Sequence, residues 1–274
     1  MASQVHAASS KGALSCNESA SAPTHKGWLH PSGRVGLFDA VRGFSVASMV
    51  LFHLCYDLIA LTSLSVPWFK PPFEDLWRAS ISWTFLLVSG WMCSFSKNNL
   101  TRSLRYLAVA AAIFIVTSLV AVDDPINFGI IFCIGGATLL DALLERVGLE
   151  PSGPLAATLL FLLFLACLHV PQGSFGFPGA TAVLPRSLYS TPWLSWAGFP
   201  GPGFISGDYY PLIPYALIYD AGIAVGRIFL RTGYPSWFLN VHCRPLQWIG
   251  RHALAIYVVH QPVLLGALML FGLL

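Results

Sequence analysis

Seven apolar stretches punctuate the chain, running roughly from Leu37 to Leu61, Leu76 to Phe95, Leu104 to Val122, Ile126 to Leu144, Leu155 to Val170, Tyr210 to Leu230 and Leu246 to Leu273. A helix that crosses a bilayer needs about 20 mainly apolar residues at about 1.5 Å rise each. The pattern therefore predicts an all-α, polytopic transmembrane helix bundle of about seven spans. The fifth stretch is the shortest, and a tilted neighbour or a re-entrant piece lodged in protein are the alternatives there. Residues 1–33 are polar, rich in Ser and Ala, and lack the apolar core of a secretory signal. They are expected to form a disordered tail, with residues 34–274 as one transmembrane domain. The longest connection, Pro171 to Pro211, is crowded with Gly, Pro and aromatic residues that suit a membrane interface. A loop of this length is usually disordered or functional, and its aromatic content favours a partly ordered lid over an external pocket.

Charge orients the bundle. Seven spans place the tail and the second, fourth and sixth connections on one side, which then carries 12 of the 15 basic residues; only Lys70, Arg78 and Arg186 lie on the other. The positive-inside rule makes the N-terminus cytoplasmic and the C-terminus external. Composition agrees, with 10% charged residues and a mean hydropathy of +0.67, against roughly 25% charged in soluble domains. The net charge of +3 is scattered singly, which argues against a nucleic-acid partner. Six cysteines lie far apart with no CxxC pair, so they read as packing residues and no metal site is expected. The glycosylation triplets at Asn17 and Asn99 are short enough to arise by chance.

Ionisable groups inside a span cost at least a few kcal/mol each and face the bundle interior. The first span has four: Asp39, Arg42, His53 and Asp57. Eleven steps of about 100° bring His53 back to within about 20° of Arg42, and Asp39 and Asp57 extend the stripe by a turn at either end. A plain reading makes Asp39 and Arg42 an interfacial pair and His53 with Asp57 a buried packing pair. The functional reading has Asp57 hold the His53 imidazole in one tautomer, leaving the other nitrogen as a general base. The last span adds Arg251 and His252 at its start, then His260, Gln261 and Pro262, where the proline is expected to open the helix. His260 is either a second catalytic histidine or one hydrogen-bonded to a neighbouring helix. Asp220 interrupts the sixth span, neutral or paired with His260 or Arg42, and Asp208 marks that span's external mouth.

These residues fall in a recognisable pattern. The runs RVGLFDAVRGFSVASMVLFHLCYDL (Arg34 to Leu58), FLLVSG (Phe85 to Gly90), INFGII (Ile126 to Ile131), DYYPLIPY (Asp208 to Tyr215) and IGRHALAIYVVHQPV (Ile249 to Val263) resemble the short form of the heparan-alpha-glucosaminide N-acetyltransferase catalytic domain family. The Arg-x10-His spacing is also similar to that of membrane acyltransferases that acetylate surface polysaccharides. The resemblance implies transfer of an acetyl or other acyl group from cytoplasmic acetyl-CoA to an extracytoplasmic or lumenal sugar or glycan. Arg42 matches the motif arginine and His53 the motif histidine. The catalytic candidates are His53, Asp57 and His260. The acyl-CoA candidates are Arg34, Arg42, Arg102, Arg105 and Arg251, near the predicted cytoplasmic face, and the substrate candidates are Asp208, Tyr210 and Gln261. Eleven residues span roughly 16 Å of helix, comparable to a pantetheine arm. His53 as base and His53 as acyl carrier both remain open. The competing function is a proton-coupled transporter or flippase for a small polar or sugar-linked substrate. A retinal pump is excluded because Leu246 to Leu274 contains no lysine.

Overall fold

The computed structural model describes residues 28–29, 35–120 and 124–274. The tail expected over residues 1–33 lies outside them except for strand β1 (Trp28–Leu29), and Arg34 lies outside altogether. The chain folds as α1 (Gly36–Leu61), α2 (Phe73–Cys93), α3 (Asn99–Val120), α4 (Ile130–Arg146) and α5 (Pro154–Cys167). A hairpin of β2 (Ser174–Phe177) and β3 (Ala180–Val183) follows, then α6 (Leu212–Thr232), β4 (Tyr234–Pro235), α7 (Ser236–Leu239), α8 (Arg244–Arg251) and α9 (Ala253–Leu270). Five segments are long and apolar enough to cross a membrane: α1, α3, Pro154–Gln172, α6 and α9. The molecule is a multi-pass integral membrane protein, mostly helical, whose outward side chains such as Leu119 and Leu270 are 80% and 89% exposed and suit only lipid.

Polar side chains within the helices are satisfied locally. Ser45 donates to the Val41 carbonyl, Ser82 to Arg78 and Thr138 to Ile134, each bond closing on the preceding turn. Glycines let helices touch. A Cβ on Gly90 of α2 would lie 1.9 Å from the Tyr219 carbonyl of α6, and one on Gly222 would lie 2.1 Å from the Leu87 carbonyl. Gly43 of α1 meets α8 in the same way, 1.9 Å from the Leu246 carbonyl. Such close backbone approach is what small residues provide in membranes, where lipid supplies no hydrophobic drive between helices. The core lies among α2, α4, α5 and α6, around Leu86, Ile131, Ile134, Phe164 and Tyr219. A second aromatic cluster of Phe38, Trp91, Tyr234 and Phe238 closes the end where α1 begins, and Trp91 Nε1 donates to the Tyr234 hydroxyl at 3.2 Å. β1 pairs with β4 at that end.

Three expectations change. The single seventh span from Leu246 to Leu273 is two helices, α8 and α9, separated at His252, whose Nδ1 lies 2.8 Å from the Trp248 carbonyl. Arg244 and Arg251 of α8 are exposed, and charged heads favour water, so the membrane-crossing helix starts afresh at Ala253. Pro262 does not open α9, which runs through it from Ala253 to Leu270. Proline's fixed φ is compatible with helix. Asp220 has Asp141 and Arg227 as its electrostatic neighbours, rather than His260 or Arg42. Arg227 sits 3.0 Å from Asp141 and donates to the Pro151 carbonyl at 3.0 Å. Asn99, at one of the glycosylation triplets, is buried and donates to Asp141 at 3.5 Å. Of the cysteines, Cys93, Cys133 and Cys167 are buried and free; Cys16 lies outside the described residues.

Candidate active site

α1 carries His53 and Asp57 one turn apart on one face, and α9 brings up Tyr257, His260 and Gln261 against them. The Gln261 side-chain nitrogen donates to both oxygens of Asp57, at 2.9 and 3.1 Å. Asp57 is only 1% exposed, so this bond satisfies a carboxylate that lipid would otherwise strand. The same clasp fixes α9 against α1 at the level where the His53 and His260 rings meet, with centroids 4.9 Å apart and planes at 56°. His260 Nδ1 lies 2.6 Å from the Tyr257 carbonyl. A carbonyl only accepts, which assigns the proton to Nδ1 and the lone pair to Nε2. That Nε2 is buried and has no hydrogen-bond partner among the described residues, as is also true of the Gln261 oxygen. The arrangement therefore offers a buried ring nitrogen with a free lone pair beside a second imidazole.

Above this pair lies a laced loop cluster. Asp208 Oδ2 accepts from the Tyr257 hydroxyl at 2.7 Å and from the Ile130 N–H at 3.1 Å, so its carboxylate caps the first turn of α4. Gly129 makes room for it, since a Cβ there would fall 2.6 Å from Oδ2. This is why α4 starts at Ile130 rather than at the expected Ile126. Burial pushes the Asp208 carboxyl up, against the pull of those two donors. Ser206 ties the loop to the α3–α4 connection, accepting from the Asn127 N–H at 3.0 Å and donating to the Asn127 carbonyl at 2.8 Å. Tyr210 packs its ring 4.7 Å from Tyr215 and donates its N–H to the Phe128 carbonyl at 2.9 Å. Phe128 is held at φ 57°, the left-handed region, where a bulky side chain costs about 1–2 kcal/mol. The long connection between α5 and α6 carries short 3₁₀ turns and the β2–β3 hairpin, and Tyr209 donates to the Ser195 carbonyl at 2.6 Å.

On the other side of Tyr257, Arg42 lies over the Phe85 ring at 5.7 Å, with Nη1 3.8 Å from Met92 Sδ. It lines a small internal cavity with Ser89, Tyr106, Leu254 and Tyr257. Arg102 approaches the same Tyr106, 5.7 Å from its ring centroid, whereas Arg105 and Arg251 are exposed. A larger, nearly wholly apolar cavity of about 460 Å³ lies between α3, α4 and α9, and Tyr257 lines it as well. Tyr257 thus touches Asp208, His260 and both cavities, though the sequence did not single it out. The available signal was its place three residues before His260, on the same helix face.

In comparisons with known proteins, a family model described as heparan-alpha-glucosaminide N-acetyltransferase, catalytic, matches residues 34–262. A search of curated proteins and a search of solved structures each gave no match. The family match runs from the start of α1 past His260 and so takes in the histidine pair, the Asp57–Gln261 clasp, Asp208 and Arg42. On that coverage, the chain belongs to the heparan-alpha-glucosaminide N-acetyltransferase catalytic family, whose members are membrane acetyltransferases.

Proposed function

We propose that this protein moves an acetyl group from cytoplasmic acetyl-CoA to an extracytoplasmic or lumenal sugar, through a bundle of seven spans with its N-terminus in the cytoplasm. Residues 34–274 form the catalytic domain in this reading, and residues 1–33 a tail. α2 and α4, at 21 and 17 residues, bring the five clear spans to seven with lengths of about 31 and 25 Å. The 12 to 3 division of basic residues sets the orientation.

The observation that carries the reading is the pair of imidazoles facing each other inside lipid-embedded helices, with Asp57 and Gln261 clasped beside them. Arg42 takes the phosphate-bearing end of acyl-CoA, and the thioester end reaches toward His53, roughly 16 Å further along α1. His53 accepts the proton of the acceptor amine or hydroxyl as that atom attacks the thioester carbonyl. The carbon–sulfur bond breaks, and the departing CoA thiolate recovers the proton as free thiol. Asp208 and Tyr210 shape the external mouth where the acceptor arrives.

The test is acceptor-dependent CoA release by purified protein in vesicles. His53→Ala is expected to lower transfer by at least about 100-fold while acyl-CoA binding persists. Near wild-type turnover in folded His53→Ala protein would refute the assignment to His53. Accumulation of a sugar inside vesicles without CoA release would instead make the protein a transporter.

A further inference from the structure

The 460 Å³ cavity has no role in the chemistry above, yet it shares Tyr257 with the site. It is bounded by Leu107, Ala111 and Phe114 of α3, Phe132 of α4 and Tyr257 of α9. Its volume is about three times that of a cavity known to take benzene, and its lining would repel a free sugar. α9 packs on α1 and α8, while α3 packs on α4 and turns its other face outward, with few of its residues buried. The bundle is therefore loosely closed between α9 and the α3–α4 pair, which is where the cavity lies. Ala111 and Phe114 sit on the exposed side of its wall. The back wall is Tyr257, whose ring lies 5.8 Å from that of His260.

Polarity changes along the cavity. Its outer end is Asn127, Phe128 and Gly129, the strained connection laced to Ser206 and Asp208. Phe128, at φ 57°, is held with its ring 4.9 Å from Phe132 and 6.1 Å from Phe204. Backbone strain of this kind persists where the surroundings over-determine a shape that function uses. A long apolar slot open toward lipid, a polar rim at the outer end and a catalytic imidazole behind the shared wall together describe a seat for an amphiphile.

We propose that the α3–α4–α9 cavity seats the hydrocarbon chain of a membrane-anchored acceptor, so that the acetylated sugar is lipid-linked and enters sideways from the bilayer. The inference rests on the acetyl-transfer reading for the headgroup, but not for the seat itself. The chain lies along α3 and α4 with Tyr257 at its back, and the sugar headgroup stays at the rim beside Asp208, within reach of the histidines.

The experiment uses the full-length protein in phosphatidylcholine vesicles with dodecyl glucosaminide carrying a photoactivatable diazirine in its chain. Labelling is expected on α3 and α4, displaced by unlabelled dodecyl glucosaminide but not by added phosphatidylcholine. Ala111→Trp, on the exposed wall, is expected to cut that labelling at least fivefold, and the milder Ala111→Leu to give an intermediate loss if Trp perturbs folding. Labelling spread evenly over all lipid faces, or displaced equally by phosphatidylcholine, would mark an ordinary bilayer lipid and overturn the proposal. CoA release separates the two readings. Dodecyl glucosaminide should exceed free glucosamine at least tenfold in kcat/KM, and equal values would overturn the seat while leaving acetyl transfer standing. Specific labelling without CoA release from either acceptor would keep the seat and reject transfer.

Discussion

Gln261 holds Asp57 with one amide nitrogen across both carboxylate oxygens, 204 residues apart in the chain. Replacing it by Leu keeps the volume and leaves a buried carboxylate short of its donor, which costs about 1.5–3 kcal/mol. A lower melting temperature for Gln261→Leu, largely relieved when Asp57→Leu is added, would measure the coupling in a double-mutant cycle. Arg42 differs because it is half-buried, with a Phe ring and a thioether among its neighbours. Arg42→Ala is expected to weaken acyl-CoA binding about 10-fold or more and Arg42→Lys less, since Lys keeps the charge and loses the planar fork; titration with labelled acyl-CoA checks both. The alignment of Arg42, His53 and Asp57 was legible in the sequence because helical period alone sets it. The meeting of His53 with His260, and the Nδ1 bond that frees Nε2, depends on how two distant helices pack, and no local spacing encodes that.

Helices in this bundle are joined by missing side chains. Gly90→Ala would push a methyl group against the Tyr219 carbonyl, and overpacking of this kind costs about 1–3 kcal/mol. Gly266 of α9 has nothing within 4 Å of a Cβ, so Gly266→Ala should be neutral or stabilising by up to about 1 kcal/mol from helix propensity. Thermal denaturation of the two variants in the same detergent tests this contrast. Element boundaries were legible where the apolar pattern ends on a local signal. α1 begins one residue from its expected start, and α6 ends at Gly233, whose φ of 87° suits a glycine stop. They were not legible where a distant group decides. α4 begins at Ile130 because Asp208, far along the chain, caps it, and the break at His252 depends on how α8 lies across α1.

At the scale of the molecule, the charge asymmetry makes a direct prediction. A C-terminal tag should be cleaved by protease added outside intact cells, and a tag on the N-terminus should be protected. The helical, membrane-spanning character was plain from hydropathy, whereas α2 is less marked because charged and small residues interrupt it, and α4 because it has only 17 residues. α9 carries a further consequence. Its 18 residues make a rod of about 27 Å, slightly shorter than the roughly 30 Å hydrocarbon layer, and between Gln261 and its far end only Leu268 is buried. Such a rod answers hydrophobic mismatch by tilting, and any tilt about the Asp57–Gln261 clasp moves His260 relative to His53. In vesicles made from phospholipids of graded chain length, turnover should peak at one bilayer thickness and fall on either side, while acyl-CoA affinity, set at Arg42 on the anchored helix α1, stays level.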